Sequence, residues 1–196
     1  MSKSVCLRSV LFIAAGTLLP TFAYAHVGAG EASGFMHGLT HPLSGLDHIC
    51  AMVAVGLWAT QMGGRSVWVV PLTFVSLMAL GGALGMMGIS LPFAETGIVL
   101  SVLMLGILIA ASIRLPLWLS SCMVGLFALC HGHAHGADMP ESASAMTYAF
   151  GFILSTATLH TLGIMFGLGM HRLADKQVMR WAGACVALCG VYLAVS

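Results

Sequence analysis

A chain of 196 residues that is 59% hydrophobic and only 7% charged, with a mean hydropathy of +1.01, is not a soluble globular domain, whose charged share is roughly 25%. A formal net charge of +1 without any basic cluster excludes a nucleic-acid-binding surface. What remains is an integral membrane protein, in which the placement of the few charges matters more than their sum.

Residues 1–25 have the three parts of a secretory signal: Lys3 and Arg8, an apolar run from Val10 to Leu19, and the small-x-small site Ala23-Tyr24-Ala25. The run is too short to span a bilayer. Cleavage after Ala25 is therefore expected, leaving 26–196 as the mature chain with His26 at its start. An N-terminal histidine offers an imidazole and an α-amino group that a metal can deprotonate, so His26 is a candidate ligand.

Hydropathy then predicts six membrane-spanning helices, at 42–62, 67–88, 93–112, 115–135, 146–170 and 178–195. Each has the roughly 20 residues that a 30 Å hydrocarbon core requires. Short connections leave no room for a soluble domain, so the expected fold is all-α: one six-helix transmembrane bundle after a cleaved signal peptide. With the mature N-terminus outside, the connections after the first, third and fifth spans face the cytoplasm. They hold Arg65, Arg114, Arg172, Lys176 and Arg180, every basic side chain of the mature chain, whereas Glu31, Glu95, Asp138 and Glu141 fall on the outer side. Gly81 with Gly85, and Gly163 with Gly167, are small-xxx-small pairs suited to close helix packing, within the bundle or in a homo-oligomer. Six cysteines include no CxxC pair, which removes zinc-knuckle and thioredoxin-type sites.

Ionisable groups are costly inside a bilayer and mark function there. The first set is His37, His41, Asp47 and His48, at the entrance to the first span. The residue before a proline is pushed away from helical geometry, so Pro42 predicts that the span begins at or just after His41. Asp47 and His48 would then lie about 8 Å below its start, with His41 and His48 on one face. The second set closes the fourth span: His131, His133, His135 and Asp138, of which His131, His135 and Asp138 are spaced to share a face while the helix persists. The predicted topology puts both sets at the outer side and at similar depth.

Imidazoles with a carboxylate and no thiolates suit divalent nickel, cobalt, copper or zinc, held loosely enough to leave again. In the fifth span Ser155, Thr156, Thr158, His160 and Thr161 suggest a polar path inward, from the outer sets through His160 to His171. A structural role competes with each of these readings. A lone membrane histidine such as His160 is often a satisfied core residue, and span hydroxyls often bond their own helix.

The stretch His41-Pro42-Leu43-Ser44-Gly45-Leu46-Asp47-His48, followed by His131-Gly132-His133-Ala134-His135-Gly136, resembles the HupE/UreJ family of nickel and cobalt permeases over essentially the whole mature chain. The resemblance implies uptake of nickel, with cobalt as a second cargo, across a bacterial inner membrane with the mature N-terminus periplasmic. It further implies supply to hydrogenase or urease maturation, with Asp47 and the motif histidines as the binding residues. Asp138 stands where the family commonly has an acidic residue after the second motif. A different nickel/cobalt family spaces its histidine four residues before Asp-His. Five separate His41 from Asp47 here, so that family's fold is not carried across.

The expected function is thus a secondary permease, not an enzyme and without a catalytic cofactor. No GxxxxGK[ST] loop is present for ATP, and no HExxH for a zinc hydrolase. The partners expected are a divalent ion and the lipid bilayer, with a second copy of the chain or a periplasmic or outer-membrane metal supplier left open. The rival reading is a membrane metalloenzyme, a haem protein with His48 and His131 as axial ligands, or an accessory subunit.

Overall fold

The computed structural model describes residues 31–139, 143–173 and 176–196. The signal segment and His26 lie outside them. Among the described residues there are seven helices and no strand: α1 Glu31–Ser44, α2 Leu46–Met62, α3 Ser66–Met86, α4 Ala94–Ala110, α5 Leu117–Ala137, α6 Ala145–Leu173 and α7 Lys176–Val195. Helices α3, α5, α6 and α7 are long and apolar enough to cross a membrane, and α1 with α2 makes a fifth candidate if the bent pair counts as one span. Helix α4 is apolar but, at 17 residues, shorter than those four.

The first predicted span needs correction. The chain does not become helical at His41; it is already helical from Glu31, and the break falls at Gly45, where the axis turns by 79°. Pro42 sits inside the last turn of α1. Tertiary packing overrides the local preference against a helical residue before proline. Gly38 lies against the Tyr148 backbone of α6, and Gly151 of α6 lies against the Phe35 carbonyl, so α1 is docked before it reaches the proline. Asp47 and His48 consequently occupy the first turn of α2 rather than a level about 8 Å below its start.

Glycine sets how the other helices meet. Gly81 of α3 faces Leu129 and His133 of α5, and Gly85 faces His133 and Ala137. Equal steps in the same direction mean that α3 and α5 run parallel. Gly163 lies on Val53 and Gly167 on Thr60, which pairs α6 with α2 in the same sense. Gly106 on Ala187, with Gly190 on Leu103, makes α4 and α7 antiparallel. Both small-xxx-small pairs read from the sequence therefore serve contacts inside the chain.

Within the bundle Trp58, Phe74 and Met52 are fully buried, while Leu72, Leu126, Phe150, Met165 and Tyr192 face outward. So much exposed apolar surface suits lipid and not water. The two ends of the bundle differ in character. Where α2 and α4 finish, Trp58 Nε1 donates to the Ile113 carbonyl (3.0 Å), Gln61 Nε2 to that of Ile109 (3.3 Å) and Arg180 Nε to that of Ala110 (2.9 Å). These donors reach carbonyls in the last turn of α4 and just beyond it, where a helix end leaves carbonyls short of partners. Arg65 and Arg114 also lie at this end, and so do the exposed indoles of Trp68, Trp118 and Trp181, each near the start of its helix. Glu95 and Asp138 mark the opposite end, where α2 begins.

Candidate metal centre

The site is built at the break between α1 and α2. Gly45 is extended (φ −101°, ψ 129°), a conformation open to any residue, and α2 starts at Leu46 without a side-chain cap. Glycine there leaves space for the pair behind it, because a Cβ would press on Asp47 Oδ1 and His48 Nδ1 and force that contact to shift. Asp47 in the first turn of α2 also places its charge where the positive end of the helix dipole favours it. The bend folds the last turn of α1 over the first turn of α2. His41 and His48, expected on one face of one helix, are brought together from two, with ring centroids 5.6 Å apart.

Helix α5 completes the group from the other side of the bundle. His135 Nδ1 lies 3.0 Å from His41 Nε2, and His135 Nε2 contacts His48 Nε2. His48 Nδ1 is 2.6 Å from Asp47 Oδ1. One set of tautomers satisfies all three contacts. His48 Nδ1–H donates to the Asp47 carboxylate, which leaves the Nε2 lone pair pointing inward. His135 Nε2–H then donates to that lone pair, and His135 Nδ1 accepts from His41 Nε2–H.

Each imidazole offers one ring nitrogen to a common point, and the three ligand atoms lie within 4.8 Å of one another. Asp47 stands behind His48 rather than among the three. A carboxylate on the far nitrogen of a histidine fixes its tautomer and makes the near nitrogen a stronger ligand, as in many metal sites. Three neutral nitrogens backed by one charge form a donor set for a borderline divalent cation. A crevice lined by Met78, Met86, Gly136, Tyr148 and Phe152 reaches His135 between α3, α5 and α6.

His131, one turn along α5 from His135, is fully buried; its Nδ1 donates to the Phe127 carbonyl (3.3 Å) and its ring lies 5.6 Å from that of His48. His37 is exposed, its ring 6.0 Å from that of His41 and 6.0 Å from that of Tyr148. Asp138 follows the last residue of α5, its N–H still bonded to the Ala134 carbonyl (3.1 Å), and its side chain is exposed. His160 is buried deeper, against Phe74. The side chain of His171 lies outside the described residues. Thr158 and Thr161 are exposed and bond back to the carbonyls of Leu154 and Ala157, so they belong to their own helix rather than to a path.

His133 points away from the three. Its Nε2 donates to the Ile89 carbonyl at 2.6 Å, tying α5 to the segment after α3. We expect His133→Ala to cost about 1 kcal/mol, the worth of one buried hydrogen bond, while metal binding stays at the wild-type level. Thermal unfolding and a Ni2+ titration of the purified variant check the two halves separately.

Residues 13–193 match the family described as HupE / UreJ protein. The chain belongs to the HupE/UreJ family. It is 50% identical over 183 residues to Protein HupE of Rhizobium leguminosarum bv. viciae, a match covering 92% of this chain and 94% of that protein. No solved structure matches.

In this HupE/UreJ chain, the motif glycines are site residues that sequence reasoning passed over. Gly45 leaves room for the Asp47–His48 pair. Gly132 and Gly136 alternate with the histidines of α5 and let its backbone touch Met78 and Gly82 of α3. The signal was available, since Gly132 and Gly136 are themselves a small-xxx-small pair.

Proposed function

We propose that this chain is a secondary permease that takes up divalent nickel, with cobalt as a second cargo, across a bacterial inner membrane and supplies it to metalloenzyme maturation such as that of hydrogenase or urease. The observation that carries this reading is the convergence of His41, His48 and His135 on one point, with Asp47 fixing His48, at the end of the bundle away from its arginines. Membership of the HupE/UreJ family supports it. A membrane potential contributes about 2.3 kcal/mol per charge per 100 mV to inward movement of a cation. No nucleotide loop is needed for that.

Six spans follow if α1 with α2 forms one and the short α4 another. The charge bias and the three exposed tryptophans at the arginine end fit a cytoplasmic interface there, with the imidazole group facing the periplasm. An even number of spans after a cleaved signal returns the C-terminus to the periplasm. Alkaline phosphatase fused after Ser196 is therefore expected to be active and a fluorescent protein at the same position dark. The reverse pattern would refute the six-span topology.

Uptake of radioactive nickel by cells expressing this chain alone tests the function, with cobalt, zinc and copper as competitors. Saturable accumulation that cobalt inhibits is expected; accumulation at the level of cells lacking the chain would overturn the assignment and favour an accessory subunit. The haem alternative is poorly served. His48 groups with His41 and His135, not with His131, whose Nδ1 is turned back to the Phe127 carbonyl of its own helix.

A further inference from the structure

Below the three imidazoles, helices α3, α5 and α6 enclose a second polar group. His131 and Thr156 are 0% exposed, and His160 and Ser155 2%. Their polar atoms are poorly served by the protein. Among the described residues, His131 Nε2, both ring nitrogens of His160 and Ser155 Oγ have no hydrogen-bond partner. Thr156 Oγ1 donates to the thioether of Met78 at 3.6 Å, a weak acceptor.

Each buried polar atom left unpaired costs about 1–3 kcal/mol, and such atoms in a folded chain call for an occupant. Helix α6 has a cheaper arrangement available, since Thr158 and Thr161 satisfy their hydroxyls on its backbone. Ser155 and Thr156 do not use it. His131 is more specific still: its Nδ1–H is committed to the Phe127 carbonyl, so Nε2 holds a bare lone pair in the interior. Phe74 of α3 packs against both imidazoles, with ring centroids 5.7 Å from His131 and 5.0 Å from His160.

These residues also lie at successive depths. His131 is one turn of α5 below His135, about 6 Å. Gly56, which packs on the His160 carbonyl, is eight residues along α2 from His48, about 12 Å down. That is roughly mid-span.

We propose that His160 is the core of a second station for the divalent cation, which is held there with part of its water shell by His160, His131 Nε2 and the hydroxyls of Ser155 and Thr156. The proposal rests on the permease reading. The set has imidazoles, hydroxyls and a thioether but no carboxylate. It binds more weakly than the outer group, as a station that must release its ion onward requires.

The test uses the full chain purified into nanodiscs and titrated with Ni2+ by equilibrium dialysis, alongside uptake by cells. Wild-type protein is expected to bind a tight and a weaker equivalent. His160→Ala is expected to lose the weaker one and keep the tight one. Its maximal uptake rate should fall by about tenfold or more, with the nickel concentration at half-maximal uptake little changed. Retention of the tight equivalent reports that the variant is folded. His160→Gln and Thr156→Val, closer in volume to the native residues, keep the comparison decisive if the alanine variant does not fold. A wild-type chain that transports but binds one equivalent, or His160 variants with two equivalents and the wild-type rate, would overturn the second station alone. A wild-type chain that neither binds nor accumulates nickel would overturn the permease reading with it.

Discussion

Replacing His135 with alanine is expected to abolish saturable nickel uptake, whereas replacing Asp47 with asparagine should weaken it in a graded way. His135 is the imidazole that touches both of the others, His41 through Nδ1 and His48 through Nε2. Its removal leaves two nitrogens on the two sides of the α1–α2 break with nothing from α5 to close the group. Asp47 acts one bond further out, through His48 Nδ1 at 2.6 Å. Asparagine keeps an oxygen that accepts the His48 proton but gives up the charge, and losing such a supporting partner costs about 10–100-fold in metal affinity. Ni2+ titration of the two purified variants separates the roles. Equal loss in both would place Asp47 among the ligands instead of behind one. Wild-type affinity in the His135 variant would end the assignment of this site.

The sequence made the membrane class, the apolar runs and the two histidine sets legible, because each is local. Hydropathy found all six apolar runs to within a few residues: 115–135 against Leu117–Ala137, and 178–195 against Lys176–Val195. It missed α1, since Glu31–Ser44 is too polar to register as a span, and its helix is stabilised by packing on α6 that no local rule reports. The same omission misplaced the break. Pro42 was the obvious signal, yet the chain turns at Gly45, where the decisive property is room for the Asp47–His48 contact.

Helical periodicity was right about His131 with His135 and right to set His133 apart, because those three lie within one regular helix. It failed for His41 with His48, which meet across a bend between two helices. Which buried hydroxyls face an interior and which bond their own backbone depends on the neighbouring helix. Thr156 and Thr158 could not be told apart before α3 was in place.

The same dependence on neighbours makes Gly132 critical to the site. Gly132 lies between the two site histidines of α5, and a Cβ there would strike the Met78 carbonyl and the Gly82 amide nitrogen of α3. Both are backbone atoms, so no rotamer change relieves the clash and the two helices must move apart. Overpacking of this kind costs about 1–3 kcal/mol even where side chains can adjust. Gly132→Ala is expected to exceed that, and to displace His131 and His135 together because they share the helix that is pushed away. Gly169 is the matched control. It lies in α6, and among the described residues no neighbouring element comes within 4 Å of its Cβ position, so alanine should stabilise the helix by up to about 1 kcal/mol through propensity alone. The two substitutions add the same methyl group to a helical glycine, and thermal unfolding should shift in opposite directions. Nickel binding should be lost only in the first. Equal unfolding temperatures would show that α3 and α5 do not rely on glycine contact, and the close approach that sets the depth of the histidines would need another cause.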